Sequence, residues 1–204
     1  MNHKIGLSFA RILKAMLRCA PNIILVGEIR DMETAEVAIQ AALTGHLVFS
    51  TLHTNDAPSA ITRLLDMGVQ PFLVSSALQG VVAQRLVRRL CKECSEPYEA
   101  SAAEARVLGL EPSLLVGRTL RRARGCRACE GTGYRGRLGL FEIFELDVAL
   151  RDSVFRGEPL ERIRASALAS GNLRPLIASG ARKVLAGQTD VTEVLRVTRA
   201  ALED

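Results

Sequence analysis

NIILVGEIRD, residues 22–31, sets four consecutive apolar residues before a glycine and an acid. A short continuous apolar run bounded by a chain breaker reads as a strand buried in a sheet, and Pro21 stops the preceding helical pattern from running into it. An acid at the carboxyl end of such a strand faces the crevice where open α/β sheets bind ligands. In nucleotide hydrolases an acid in that place supports the Mg2+ shell or orients the attacking water. Glu28 also admits a plainer reading, as an acid helping to cap the helix that follows.

Working outward, SFARILKAMLRC (8–19) has helical apolar spacing, and Asp31 is placed to cap METAEVAIQAAL (32–43), which stops near Gly45. HLVFSTLH (46–53) reads as the next strand, with His46 at its start and Ser50, Thr51 and His53 at its end. Two neighbouring strands would then both present polar groups at their carboxyl ends, a setting suited to contacting phosphate. DAPSAITRLLDMG (56–68) carries a capping acid, a proline in its first turn and a terminal glycine, all where a helix prefers them. PFLVSSALQGVVAQRLVRRLC (71–91) reads as one longer helix with apolar residues at 74, 78, 81, 82 and 86. This alternation over residues 1–90 predicts an α/β fold in which helices cover a mostly parallel sheet. Between 91 and 139 the texture turns to glycine, arginine and cysteine; LGLFEIFEL (138–146) then reads as a strand, and residues 140–204 as a mainly helical region.

The chain has 204 residues, 48% of them hydrophobic, enough to bury one substantial core. No apolar run approaches the roughly 18 residues needed to span a bilayer. Its start lacks a signal-peptide core, which points to the cytoplasm. A net charge of +5 admits nucleic acid, anionic lipid or an acidic protein as partner. The most specific chemical pattern is CKEC (91–94) with CRAC (126–129). Two pairs, each with two intervening residues, can place four thiolates at the corners of a tetrahedron, the arrangement zinc takes in closed structural sites. Glycines in GCRACEGTGYRGRLG (125–139) permit the turns that aim backbone N–H groups at sulfur. Four ordinary buried cysteines are the alternative. Cys19 stands outside the pattern and reads as a small buried hydrophobe.

LRCAPNIILVGEIRD (17–31), TGHLVFSTLHTNDA (44–57), AQRL (83–86), the cysteine pairs with TGYRGRLGLFE (132–142), and ARKVLAGQTDVTEVLRVT (181–198) stand in one order along the chain. Together they resemble the carboxyl-terminal half of the secretion-superfamily ATPases, the motors of type II secretion and type IV pilus assembly. The resemblance implies a partial RecA-like P-loop core over 1–90, carrying the Walker B strand and histidine box. A zinc-binding tetracysteine segment over 91–139 and a helical carboxyl-terminal region over 140–204 follow. It implies ATP, Mg2+ and Zn2+ as cofactors, with Glu28 and His53 as catalytic residues: Glu28 to polarise the attacking water and support Mg2+, His53 to contact the γ-phosphate region. Gly27, Thr51 and His46 are implied in nucleotide binding, and Cys91, Cys94, Cys126 and Cys129 as metal ligands. A homo-hexamer is implied for the full-length protein, working on inner-membrane platform proteins from the cytoplasmic side and peripheral to that membrane. Retraction motors share much of this half but typically lack the cysteines, which disfavours retraction.

Two departures stand out. Asn22 replaces the aspartate of the resembled family, a change beside the strand expected to be tolerated. No G-x-x-x-x-G-K-[ST] stretch occurs in the 204 residues, and none of the four lysines (Lys4, Lys14, Lys92, Lys183) follows a glycine. Met1 and Asn2 are therefore expected to start in mid-domain, with the phosphate loop elsewhere and the chain inactive alone. A non-catalytic interaction fragment of such a motor is a second reading. A zinc-containing nucleic-acid-binding module is a third, suggested by arginines at 85, 88, 89, 121, 122, 124, 135 and 137. Against that third reading stand the absence of a groove-reading motif and an aromatic content of 4%, which leaves few stacking platforms, so no nucleic-acid partner is expected.

Overall fold

A computed structural model describes residues 8–115 and 117–203, with side chains through 198. The expected mid-domain start at Met1 and Asn2 lies outside the described residues. Helix α1 (Phe9–Met16) begins at Ser8, whose hydroxyl accepts from the Arg11 amide at 3.3 Å. It closes through a 3-10 turn (Leu17–Cys19) and a left-handed Ala20 before Pro21. Strand β1 (Ile23–Val26) follows, then α2 (Met32–Leu43), whose cap is the expected one: Asp31 Oδ1 accepts from the Thr34 amide at 2.8 Å. Strand β2 (Leu47–Ser50) pairs parallel to β1, with Ile23 opposite Leu47 and Val26 opposite Ser50. The Asn22 carbonyl accepts the first bond of this ladder from the Leu47 amide, a backbone interaction that does not depend on the side chain at 22. Helix α3 (Ser59–Asp66) is started by Asp56, whose Oδ1 accepts from the Ser59 amide at 2.8 Å.

The single helix expected over 71–91 is instead two elements, α4 (Pro71–Ala77) and β3 (Gly80–Leu90). The apolar residues of this stretch fit both a helical and an alternating pattern, and tertiary pairing decides between them. From Val82 to Arg88 the even positions are exposed and the odd ones are covered, the period of a strand, and Val81, Val82 and Val87 are β-branched. At Gly80 a Cβ would lie 3.0 Å from the Phe144 carbonyl oxygen, so the backbone approach that opens the strand favours glycine. The chain continues through β4 (Glu96–Glu99), α5 (Ala102–Val107), α6 (Pro112–Leu115) and β5 (Thr119–Arg122). Strand β6 (Tyr134–Glu145) takes in the expected strand up to Glu145, and α7 (Val148–Phe155), α8 (Leu160–Ser170), the short β7 (Leu173–Arg174), α9 (Leu176–Leu185) and α10 (Val191–Glu203) complete the order. Strands β3, β6 and β7 form one sheet in that order, and β4 pairs antiparallel with β5.

Contacts divide the chain into two compact units, Met1–Val81 with Phe144–Asn172, and Val82–Ile143 with Leu173–Asp204. This differs from three consecutive segments bounded at 90 and 139, because the long strands β3 and β6 carry the chain out of the first unit and back. In the first unit, the Arg151 guanidinium on α7 donates to the Ser75 carbonyl at 2.7 Å and to Gln79 Oε1 at 2.8 Å, fastening α7 to the end of α4. Strands β1 and β2 are not buried throughout, as the apolar run suggested. Ile24 and Val26 are buried, whereas Ile23 and Leu25 on the opposite face are 63% and 73% exposed. The second unit has a continuous core in which Val87 and Leu140 of the sheet meet Leu120, Leu176, Val184 and Val194.

Candidate functional site

The carboxyl ends of β1 and β2 are held together beyond the strands themselves. The Ile29 amide donates to the Thr51 carbonyl at 3.0 Å, and the Thr51 hydroxyl donates to the Gly27 carbonyl at 2.7 Å. These two bonds bring Glu28 and His53 into contact: His53 Nε2 lies 3.3 Å from Glu28 Oε2. Arg30 Nε lies 2.6 Å from the same oxygen. Burial pushes the Glu28 carboxyl up, but the bonds from Arg30 and His53 more than offset it and hold it below the usual carboxylate range. Glu28 is therefore an anion at neutral pH. Both partners use Oε2, and no described residue takes Oε1. A Cβ on Gly27 would sit 3.9 Å from the Phe9 ring, an ordinary contact, and Gly27 has no left-handed φ. Packing in this fold leaves room for a side chain at 27.

Glu28, Gly27, Thr51 and His53 are thus brought together, as the sequence suggested. His46 is not. It stands at the amino end of β2, on the order of 15 Å along the strands from the Glu28 end. There its Nδ1 is 2.9 Å from the Ala41 carbonyl and 3.2 Å from the Thr44 hydroxyl, and it fastens the end of α2. Glu28 is also not the helix cap, since Asp31 has that place. Arg30, which the sequence reading did not single out, completes the cluster; its only signal is its position two residues beyond Glu28. Arg164 on α8 was missed as well. Its Nη2 lies 2.5 Å from Asp56 Oδ2, and no local pattern announces a partner so distant in sequence.

In the second unit the four paired cysteines converge, and their sulfurs all lie within 4.8 Å of one another. Cys91 Sγ is 4.0 Å from Cys126 Sγ, Cys94 Sγ is 3.8 Å from Cys129 Sγ, and Cys126 Sγ is 3.7 Å from Cys129 Sγ. A tetrahedral ion with metal–sulfur bonds of ~2.3 Å needs sulfurs ~3.8 Å apart, so the donor set and spacing fit a closed metal site. Backbone N–H groups of Cys126 and Gly133 each donate to Cys129 Sγ at 3.2 Å. Burial pushes the Cys129 thiol up, and these two donors, with hydrogen bonds from the Cys126 and Cys94 thiols, bring it down to about 6. Gly133 aims its N–H there from a left-handed conformation, φ +77°, with Ala123 so close that a Cβ would sit 2.6 Å from it. Cys19 is exposed rather than buried, because the 3-10 turn at the end of α1 carries it outward.

The same unit holds a buried polar network that the sequence does not announce. The fully buried Glu193 of α10 accepts from the Arg88 amide at 2.9 Å, from the Arg88 guanidinium at 2.8 Å and from Arg196 at 2.8 and 3.0 Å. Burial raises the Glu193 carboxyl, but the Arg196 and Arg88 bonds win and hold it down to about 2. The Arg88 guanidinium also lies 4.0 Å above the Tyr134 ring, and the Tyr134 hydroxyl donates to Asp190 at 2.6 Å. Arginines 88, 121 and 122, counted above as candidate phosphate contacts, are turned to Glu193, Ser95 and Glu96. Tyr98, another of the few stacking candidates, donates to Glu104 at 2.6 Å.

A sequence model of the type II/IV secretion system protein family matches residues 1–196. Over 200 residues the chain is 53% identical to type II secretion system protein E of Pseudomonas aeruginosa, matching 98% of this chain and 39% of that protein. It is 47% identical to the type IV pilus assembly ATPase TfpB of Acinetobacter baylyi and to the type IV pilus assembly ATPase PilB of Thermus thermophilus. Those matches cover 97% of this chain and 34% and 22% of the relatives, so the chain spans well under half of the curated relatives it matches. Among solved structures, the pilus retraction motor PilT with bound ADP matches 93% of this chain and 43% of its own, at TM-score 0.62 and 24% identity. The ATPase DotB of Legionella pneumophila matches 95% and 42%, at TM-score 0.64 and 22% identity, and both show a shared fold.

Proposed function

The chain belongs to the type II/IV secretion system protein family, and from that premise we propose that it is the carboxyl-terminal part of a hexameric motor that couples ATP hydrolysis to type II secretion or type IV pilus assembly. The observation that carries this reading is the Glu28–His53 contact at the carboxyl ends of two paired parallel strands. In this reading β1 and β2 belong to a RecA-like core. The rest of the longer protein supplies the phosphate loop missing from these 204 residues. Glu28 Oε1, left open while Oε2 is occupied, accepts a hydrogen bond from the attacking water and orients it toward the γ-phosphate. Glu28 and the backbone around Gly27 would support Mg2+, whose positive charge offsets the charge developing on the phosphoryl oxygens. His53, 75% exposed and tethered through Glu28, is free to turn toward the γ-phosphate, and the Thr51 hydroxyl holds the two strand ends at a fixed spacing.

The four cysteines hold Zn2+ in this proposal. With four protein ligands the ion has no open position, so it organises the segment and takes no part in hydrolysis. The platform partners, the peripheral location at the inner membrane and the hexamer belong to the motor as a whole. The test is a chimera in which this chain is completed with the rest of the Pseudomonas aeruginosa relative. It should hydrolyse ATP. His53→Ala should slow turnover by roughly tenfold, since one of several contacts to the developing charge is lost. The 204-residue chain alone should bind ATP feebly, because backbone N–H groups and a lysine around the phosphates supply most of the affinity. Micromolar ATP affinity of the chain alone in calorimetry, or a chimera that folds and binds ATP without hydrolysing it, would overturn the proposal.

A further inference from the structure

His53 and Glu28 meet in an unusually open setting. The His53 side chain is 75% exposed, and among the described residues its side-chain hydrogen-bond partner is Glu28. Packing around the ring therefore does not fix where His53 sits; the backbone that carries it must. That backbone is the loop between β2 and α3, and Asp56 organises it. Asp56 Oδ1 accepts from the Ser59 amide at 2.8 Å, starting α3. The Asp56 carbonyl accepts from the Thr54 hydroxyl at 3.0 Å, folding the residue after His53 back onto the same point. Asp56 Oδ2 accepts from Arg164 Nη2 at 2.5 Å. One carboxylate thus joins the loop, the start of α3 and helix α8.

This ion pair differs from those on the protein surface. The Asp56 and Arg164 side chains are 15% and 24% exposed, against 58% and 57% for the Glu33–Lys14 pair. Partial burial weakens solvent screening and makes a charge-assisted bond more directional, whereas exposed pairs contribute little and hold little in place. Arg164 is itself seated, because its neighbour Ile163 and Ala167 one turn on are 2% and 0% exposed and anchor α8. Burial pushes the Asp56 carboxyl up, yet the bonds from Ser59 and Arg164 hold it below the usual carboxylate range, so the pair is ionised at neutral pH.

We propose that Arg164 is a positioning residue: through Asp56 it fixes the loop that presents His53 to Glu28, three residues from the anchor and on a different element. The placement rests on the bonds of Asp56 to Ser59, Thr54 and Arg164; its consequence for turnover rests on the hydrolytic reading above. A displacement of about 1 Å in a reacting arrangement can cost up to roughly a hundredfold in rate. Arg164 touches none of the reacting groups, so its loss should lower kcat and leave the KM for ATP nearly unchanged.

Two measurements separate the placement from the hydrolytic reading. The first uses the 204-residue chain and needs no nucleotide. The chain has three histidines, so the His53 ring proton can be followed by NMR, with His46 as an internal control. Glu28→Gln should move the His53 resonance in the parent and move it far less in an Arg164→Ala background, with His46 unaffected in both. An equal response to Glu28→Gln with and without Arg164 would overturn the proposal. Asp56→Asn provides a second route to the same comparison should Arg164→Ala fold poorly. The second measurement uses the completed chimera: Arg164→Ala should lower kcat about tenfold with KM within about twofold, and Arg164→Lys, which keeps the charge, should recover part of it. Loss of thermal stability with kcat per folded molecule unchanged would reduce the pair to a structural tie. If the parent chimera does not hydrolyse ATP, the functional reading fails while the NMR result still decides the placement.

Discussion

In the first unit, Ile24 and Val26 are buried under one face of the parallel β1–β2 pair, while Ile23, Leu25, Leu47 and Phe49 are about half or more exposed on the other. In the second unit, the sheet, the β4–β5 pair and helices α9 and α10 enclose a core whose residues Val87, Leu115, Val184 and Val194 are fully buried. Parallel strands with apolar residues on both faces belong to sheets covered on both sides. The bare face of the first unit is where further chain of the longer relatives is expected to pack. The second unit closes its core with its own elements, its cysteine cluster and its buried Glu193. Stability and proposed chemistry are thus separated: the unit that carries Glu28 and His53 is the one with an uncovered sheet.

The largest expected effect is on the closed unit. Protein purified under reducing conditions without chelator should contain about one zinc per chain by elemental analysis. Stripping it should open the segment between Cys91 and Gly133 to hydrogen exchange, because structural zinc supplies folding free energy directly. Cys94→Ser should weaken metal retention and Cys19→Ser should leave it intact. Amides of β1 and α2 should keep their protection throughout; loss of protection in both units together would break the distinction drawn above.

Next in size is Glu193→Gln, which strands two arginine contacts around a fully buried group and should cost about 2–3 kcal/mol in a denaturant titration at pH 7. Its pH dependence has a definite sign. The folded carboxyl is held down to about 2, below the ~4.3 of an unfolded glutamate, so its contribution is complete above the unfolded value and lost as pH falls toward 2. The difference between parent and variant should therefore shrink between about pH 4 and 2. Equal differences at pH 7 and pH 2.5 would show that the charge is not what Glu193 contributes. Asp31→Ala, which removes the α2 cap, should cost about 1 kcal/mol in the first unit.

The parts of the fold that were legible in the sequence are those fixed by neighbours in the chain. Asp31 announces the start of α2, Asp56 that of α3, and two short cysteine spacings announce the metal cluster. Asp190 opens α10 in the same way, its Oδ1 accepting from the Glu193 amide at 2.9 Å, but the sequence was read there only as a mainly helical region. What was illegible depends on residues far apart. Whether 80–90 forms helix or strand is decided by β6, some fifty residues later, and the Arg88–Glu193 and Arg164–Asp56 contacts join positions more than a hundred residues apart. His46 failed for a different reason. A histidine beside a strand looks the same at either end, and the register places this one at the amino end, away from the Glu28 cluster.

The smallest effect is the sharpest test of the comparison. Leu25→Ser, on the bare face, should change the stability of the 204-residue chain by less than about 0.5 kcal/mol, as exposed positions do. In the chimera the same change should cost about 2 kcal/mol or more, because the residue would be buried there. Equal small costs in both would mean that nothing packs on this face.

The central claim is that Glu28 orients the water that attacks ATP, and Glu28→Gln in the chimera tests it most directly. Glutamine keeps the shape and most of the hydrogen bonding and removes the negative charge. ATP should still bind, with the thermal midpoint close to that of the parent, while kcat falls by roughly a hundredfold or more. A variant that hydrolyses ATP at near the parental rate would contradict the account, leaving the Glu28–His53 contact as a structural tie between two strands.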